Sequence, residues 1–319
     1  VIIAVIGAGV IGSLYAGKLA VAGHEVRLVA RGRRLKELED KGLLLHDEVT
    51  GRIQRPRLSV AGKGDPTAPY DFALLAVRRD QLAEALVAAS ALKGAKAFVT
   101  MVNLADGGAA AAKVLGAQRL VMGFPGAGGS VKEDGTVAYR IVSPSIQRTT
   151  FGEALGGVSE RARRLARACA AAGFPSAVSA DMASWQRSHL ALVSPIANAV
   201  YAAGGDIRAC ARDRRIMGLM VDAVREGFRA LRASGGRVEP ARLAALMSLP
   251  KALLAPAFAS RLASPWGETV IARHALKARA EMRCLSEDLL GIADRGGSPA
   301  PALRELARLA ESGYPEQEG

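Results

Sequence analysis

Val1-Ile-Ile-Ala-Val-Ile6, followed at once by Gly7-Ala-Gly9-Val-Ile-Gly12, is the stretch that decides the fold. An apolar strand that runs into G-x-G-x-x-G and then a helix is a device for holding the pyrophosphate of a dinucleotide. The first glycine permits the tight turn, the second lets the backbone approach the phosphates, and the third lets the helix pack closely on the strand. The anion meets free N–H groups at the helix N-terminus, here those of Val10, Ile11 and Gly12. In a chain with 35 glycines the motif needs its context. That context follows: Ser13 to Val21 reads as helix, Ala22-Gly23 stops it, and Glu25-Val-Arg-Leu-Val-Ala30 reads as a second strand.

An NAD-binding unit places Asp or Glu at the end of this second strand, where it binds the ribose 2′-hydroxyl. Here Arg31-Gly-Arg33-Arg34 stands in that place. A carboxylate repels a 2′-phosphate, whereas a guanidinium binds it bidentately, so the expected cofactor is NADP(H). The bland alternative is a solvated basic turn after a strand.

With 319 residues the chain is long enough for two domains, and half of it is hydrophobic. Its three cysteines, Cys169, Cys210 and Cys284, form no C-x-x-C and no metal-like pairing with the four histidines, so no metal site is expected and a cytoplasmic location is. No apolar run reaches the about 18 residues of a membrane helix; Leu190 to Ala203 is interrupted by Ser194, Pro195 and Asn198. The chain starts on a strand with no basic leader, so no signal peptide is expected; without an initiator Met, one or more residues are expected to precede Val1. The net charge of +13 raises nucleic acid as a partner, but the basic residues are dispersed, Arg outnumbers Lys about threefold, and aromatic residues make up only 4%. A phosphorylated cofactor and an anionic substrate account for the excess charge instead.

An α/β alternation continues along the chain. Asp71-Phe-Ala-Leu-Leu-Ala-Val77 and Ala95-Lys-Ala-Phe-Val-Thr-Met-Val102 read as strands buried in a parallel sheet, with a helix from Leu82 to Leu92 between them. Arg31, Arg78 and Asn103 each follow the carboxyl end of a strand, where doubly wound sheets hold their ligands. Leu120 to Phe124, Thr136 to Val142 and Thr149 to Gly152 read as further strands, with glycines at 123, 126, 128 and 129 marking loops. A helix from Ser159 to Ala172 and a strand near Phe174 to Ser179 close the first domain. After Asp181 strand signals stop, and helices are expected at about 181–203, 211–234, 239–247, 250–258, 272–294 and 300–311. The expected fold is therefore α/β: a Rossmann-type doubly wound, mostly parallel sheet over 1–179, then an all-helical domain over 180–319 for substrate binding and possible homodimer formation. A cleft between the two is the natural substrate site.

The residues quoted so far resemble the ketopantoate reductases (2-dehydropantoate 2-reductases), NADPH-dependent enzymes of pantothenate synthesis. The resemblance rests on Gly7-Ala-Gly9-Val-Ile-Gly12, Val29-Ala-Arg31-Gly, Ala76-Val-Arg78-Arg-Asp-Gln81, Val102-Asn103 before Gly107, and Thr150-Phe-Gly-Glu153. It implies that Arg31 contacts the 2′-phosphate, that Arg78 replaces the Lys of a V-K-x-x-Q segment ending at Gln81, and that Asn103 lies near nicotinamide and substrate. Farther on, Arg225-Glu226 matches a common R-E pair, and Arg279-Ala-Glu281 resembles a segment whose Glu approaches the substrate hydroxyl.

The match fails on one helix. The family pattern resembles W-x-K-L-x-x-N-x-x-x-N-P, whose Lys is the general acid; this chain reads Trp185-Gln-Arg-Ser-His189-Leu-Ala-Leu-Val-Ser194-Pro195. Counting from Trp185 puts Arg187, Ala191 and Pro195 at the Lys and two Asn positions; counting back from Pro195 puts Gln186, Leu190 and Ser194 there. Either register removes the Lys. Arg stays protonated and is a poor proton donor, though it polarises a carbonyl or clamps a carboxylate. Helical spacing puts Arg187, Ser194 and Asn198 on one face and His189 roughly opposite, beside Trp185, Val193 and Ile196. His189 is either the proton donor or a hydrogen-bonded core residue.

Other residues carry weaker signals. Glu281 with Arg279 and Glu287 also reads as a solvated helix face, Glu226 as a structural partner, and His24 and His46 as surface residues. His274 and Lys277 read as a solvated helix end, and Trp266 as a loop anchor or part of a lid.

The expected function is an NADPH-dependent reductase of a small anionic 2-oxo acid, similar to 2-dehydropantoate 2-reductase. Candidate catalytic residues are Asn103, Arg187, His189, Ser194 and Glu281. Two other readings are a related dehydrogenase of an opine-type substrate with His189 as the acid, and a non-catalytic NADP-binding protein.

Overall fold

The computed structural model describes residues 1–264, 267 and 279–313, in two compact units, Val1–Ala183 and Ser184–Gly319. The first is a doubly wound α/β layer structure. Strands β1 (Ile2–Ile6), β2 (Glu25–Val29), β5 (Ser59–Ala61), β6 (Phe72–Leu75), β7 (Phe98–Thr100) and β8 (Leu120–Phe124) pair in parallel in the order β5-β2-β1-β6-β7-β8. That order reverses between β1 and β6, the switch point at which such sheets bind dinucleotides. Beyond β8 the sheet continues with β11 (Thr149–Glu153), antiparallel, and β12 (Ser176–Val178), parallel to β11.

The central strands are apolar on both sides because both faces are covered. Ile3, Val5, Phe72, Leu74 and Val99 face one core with Leu14 and Tyr15 of helix α1 (Val10–Val21) and Leu165 of α5 (Glu160–Ala171). Ala4, Ile6, Ala73, Leu75 and Phe98 face the other, against Leu86 and Ala89 of α3 (Leu82–Ser90) and Leu115 of α4 (Ala109–Leu115). Ser159 caps α5 by accepting from the Ala162 N–H at 3.1 Å.

Two features of this unit differ from the sequence reading. Gly32–Lys41 forms a helix, α2, with Arg31 as its N-cap residue, so Arg33 and Arg34 lie in a first helical turn. The segment is almost wholly charged, which hides its short apolar stripe, and Leu38 is its buried anchor. Second, a small sheet orders β4 (Ile53–Gln54), β3 (Leu45–Asp47), β10 (Val137–Ile141) and β9 (Ala127–Val131), so Gly128 and Gly129 belong to a strand and Gly123 to β8. A Cβ on Gly129 would stand 2.1 Å from the Ala138 carbonyl oxygen; close approach of the paired strand, not a turn, explains that glycine.

The second unit is helical throughout its described residues: α6 (Met182–Ala202), α7 (Ile207–Arg212), α8 (Arg214–Ala233), α9 (Ala241–Met247), α10 (Lys251–Leu262), α11 (Arg279–Arg295) and α12 (Pro301–Gly313). Helix α8 is strongly amphipathic, and its buried stripe of Met217, Met220, Val221, Val224, Phe228 and Leu231 packs against α10, α11 and α12. Gly227 brings α6 close, since a Cβ there would lie 3.0 Å from Ala191 Cβ. The single helix expected over 211–234 begins instead at Arg214, because Asp213 turns extended and caps it, accepting from the Arg215 and Ile216 N–H groups at 2.8 and 2.9 Å. Helix α10 runs through Pro256 to Leu262, past the expected end at 258. Among the described residues no single helix is long and apolar enough to cross a membrane.

Candidate active site

The turn after β1 has three glycines with three different reasons. Gly7 has φ +104°, and a Cβ on it would meet the Ala76 carbonyl oxygen at 2.6 Å. A Cβ on Gly12 would lie 1.8 Å from the Gly7 carbonyl oxygen, so this turn of α1 stands hard on the glycine turn. Gly9 has an ordinary φ of −72°, and a Cβ on it would meet nothing within 4 Å. No contact within the protein demands a glycine there; the open space does, if a ligand is to touch the backbone. Gly9 is also the N-cap of α1 and no side chain caps it, so the first N–H groups of α1, those of Val10, Ile11 and Gly12, face the start of the helix without a side-chain acceptor. The cradle fits a dinucleotide pyrophosphate.

Around it stand the residues at the strand ends. Arg31, just beyond β2, is held by Glu84 of α3 in a two-pronged ion pair, with Nη2 donating to Oε2 at 3.0 Å and Nη1 to Oε1. Hydrogen bonding from Arg31 holds the Glu84 carboxyl below its ordinary range and the guanidinium above its own. Arg78, beyond β6, forms a fork with Asp80 through its other edge, Nε to Oδ1 at 3.1 Å and Nη2 to Oδ2 at 3.0 Å. Gln81 ends the short 3-10 turn Arg79–Gln81, exposed. The two arginines therefore meet the solvent as ion pairs rather than as bare cations.

Arg34 has a different task from its neighbours. It reaches beneath the glycine turn, donating from Nε to the Ala8 carbonyl at 3.3 Å and from Nη1 to the Gly135 carbonyl at 2.9 Å. Asn103, just beyond β7, is buried, and its Oδ1 has no hydrogen-bond partner among the described residues; the same holds for Thr100 Oγ1 at the end of β7. A buried amide oxygen left unpaired costs free energy, about 1–3 kcal/mol, which a bound donor recovers.

In the helical unit, α6 carries the residues at which the family pattern breaks. Arg187 and His189 are half-buried, whereas Gln186, Leu190 and Ala191 are fully buried. His189 stacks on Trp185, ring centroids 5.5 Å apart and the ring planes nearly parallel. Ser194 is buried, with its Oγ unpartnered among the described residues, and Asn198 donates from Nδ2 to Ser286 Oγ of α11 at 2.8 Å. The helix continues through Pro195, which has no N–H to offer the Ala191 carbonyl. Glu281 lies half-buried near the start of α11, and the Arg279 guanidinium sits 5.7 Å above the Tyr201 ring. Trp266, His274 and Lys277 lie outside the described residues. Among those described, no group of three or more His, Cys, Asp or Glu is placed to hold a metal.

A family model described as ketopantoate reductase PanE/ApbA matches residues 3–156. That match spans just under half of the chain. A 2-dehydropantoate 2-reductase of Mesorhizobium japonicum is 29% identical over 206 residues, 57% of this chain and 61% of that protein; the chain thus aligns with about three fifths of its curated relative. Two solved structures carry the likeness of fold through the helical unit. The 2-dehydropantoate 2-reductase of Geobacter metallireducens has a TM-score of 0.77 at 18% identity, covering 98% of this chain and 99% of its own. D-mandelate dehydrogenase, solved with NADH and anilino(oxo)acetate, has a TM-score of 0.75 at 14% identity, covering 98% and 97%.

The matched residues include the glycine turn, Arg31, Arg78, Gln81 and Asn103, whereas α6 and α11 lie beyond them. Sequence reasoning missed Glu84 and Asp80. Asp80 is two residues from Arg78 and legible as a local pair, but Glu84 is 53 residues from Arg31 and only the fold brings them together.

Proposed function

We propose that this chain is a reductase of a small anionic 2-oxo acid, with NADPH as hydride donor and ketopantoate as the first candidate substrate. The observation that carries the reading is the open space over Gly9 at the uncapped N-terminus of α1, at the switch point of the sheet, within the residues that the PanE/ApbA family model matches. A 2-oxo acid also suits the shared fold, since the D-mandelate dehydrogenase of the same architecture was solved with an oxoacetate.

The N–H groups of Val10, Ile11 and Gly12 hold the pyrophosphate, and Arg31 and Arg78 the adenosine end. When bound, the reduced nicotinamide supplies hydride to the C2 carbonyl carbon of the oxo acid. Asn103 offers its unpaired Oδ1 to an amide or hydroxyl donor. Arg187, with five donors and a permanent charge, clamps the carboxylate and draws charge toward the carbonyl oxygen. Its partial exposure, against the complete burial of Gln186, favours the register that sets Arg187 in the family's Lys position. The alkoxide held by Arg187 takes its proton from water, since guanidinium does not titrate near neutral pH; His189, on the opposite face of α6, is the donor in the opine-type reading instead. Ser194 and Glu281 bind the distal part of the substrate, Glu281 through a hydroxyl.

Oxidation of NADPH against a panel of 2-oxo acids tests this directly. Turnover of ketopantoate or a close branched 2-oxo acid is expected; no turnover of any member ends the assignment. In the His189→Asn variant kcat is expected to hold within about twofold; a fall of about 100-fold or more, as for loss of a general acid, would make His189 the proton donor and favour the opine-type reading. Unchanged kcat removes His189 from the reaction.

A further inference from the structure

Strands β2 and β6 pair with β1 from opposite sides. A residue just beyond β2 and one in the first turn of α3 therefore reach each other only across the carboxyl end of β1, where the glycine turn stands. Arg31 and Glu84 do so, and they meet fork to fork. A carboxylate in this pose occupies the guanidinium edge that a phosphate takes, since Arg binds both anions by the same two parallel N–H bonds. Asp80 fills the Nε/Nη2 edge of Arg78.

The two forms of the coenzyme meet this arrangement differently. A 2′-phosphate that takes the Nη1/Nη2 edge of Arg31 displaces Glu84, and one that takes the Nε edge leaves Glu84 in place; in both poses the carboxylate stays beside it, tethered to α3, as a like charge. A 2′-hydroxyl displaces nothing, and it can donate to the carboxylate that is already there, the use to which NAD-binding units put an acid near this place. The ion pair is open to solvent, 61% and 64% exposed, so it is weak and displaceable rather than a bar.

We infer that Glu84 is a coenzyme-selectivity residue: an internal competitor for Arg31 that weakens the grip on the 2′-phosphate and leaves the chain able to use NADH beside NADPH. The inference rests on the coenzyme site proposed above. It makes Glu84, and not the number of arginines, the determinant of the NADPH-to-NADH ratio.

Dissociation constants for NADPH and NADH, measured by calorimetry on the full chain, its Glu84→Gln and Arg31→Ala variants and the double variant, test it. Glu84→Gln, an exposed isosteric change, is expected to tighten NADPH by about fivefold while NADH stays within about twofold or weakens. In the Arg31→Ala background the same change is expected to tighten NADPH by less than about twofold, because the competition for Arg31 is gone and only the screened like-charge repulsion is left. If the unaltered chain binds NADPH and Glu84→Gln alters neither constant, or both alike, the inference falls and the coenzyme site stands. If the unaltered chain binds neither coenzyme, the site and the inference fall together.

Discussion

Glu226 of α8, almost wholly buried, accepts a hydrogen bond at Oε2 from the backbone N–H of Leu303, 2.9 Å away in the first turn of α12. Its neighbour Arg225 does the converse at another helix end, donating from Nε to the Met247 carbonyl at 3.0 Å and from Nη2 to the Leu249 carbonyl, where α9 stops. An acid at a helix N-terminus and a base at a C-terminus both satisfy orphan backbone groups and complement the dipole. The R-E pair noticed in the sequence is thus a double helix clamp. Glu226→Ala is expected to lower unfolding free energy by about 1–3 kcal/mol, because Leu303 N–H loses a buried charged acceptor. Urea unfolding followed by circular dichroism checks it, and Glu226→Gln, which keeps an acceptor, should lose less. An Ala variant as stable as the parent would remove the clamp.

The three glycines of the turn should fail in different ways. Gly12→Ala forces a Cβ to within 1.8 Å of a backbone oxygen and is expected to unfold or grossly destabilise the first unit. Gly9→Ala has room, so its melting temperature should hold while affinity for either reduced coenzyme drops by about tenfold or more, the methyl group standing where the pyrophosphate meets the backbone. Equal coenzyme affinity in Gly9→Ala would mean that the space above it is not the phosphate seat.

Asp71 sets part of the acid limb of stability. Burial opposes its ionisation, but the Ile2 N–H, the Lys96 ammonium and the Arg164 guanidinium, at 3.0, 3.0 and 3.1 Å, outweigh it and hold the carboxyl below its ordinary range. A carboxyl depressed in the folded state stabilises above its unfolded pKa, and that share is lost as pH falls through the folded value, beginning below about pH 4. Asp71→Asn is therefore expected to be less stable than the parent near neutral pH and to converge with it in acid. Parallel stability curves down to pH 2 would contradict this.

The three cysteines should separate by reactivity. Cys169 and Cys210 are buried, and burial pushes both thiols up to about 12, whereas Cys284 is exposed on α11. Thiol titration of the native chain should give one fast equivalent, and three after denaturation. Replacing Cys284 by Ser should abolish the fast phase; a fast phase that survives would place a second thiol at the surface.

Much of the sheet was legible because its signals are local. Apolar runs mark strands that are buried on both faces, and helices with wide apolar stripes showed their period. The helix Gly32–Lys41 was not legible, since it is held by charge pairs such as Arg33 with Glu37 at 3.0 Å and by the single buried Leu38 rather than by an apolar face. Gly128 and Gly129 misled for the opposite reason: glycine signals a turn by default, and its use for close strand approach depends on a partner elsewhere in the chain. In the helical unit the helix expected over 250–258 runs on to Leu262, with Pro256 inside it.

The amino-acid sequence by itself determined the β1–turn–α1 unit and the strand ends that surround it, because each glycine and each strand there is specified by its neighbours along the chain. Only the tertiary structure decided the charge state of that site. Arg31 and Glu84 lie 53 residues apart and meet because two strands flank β1 on opposite sides. Such a pair leaves no trace in local spacing, and it sets a carboxylate against an arginine that by itself reads as a bare cation.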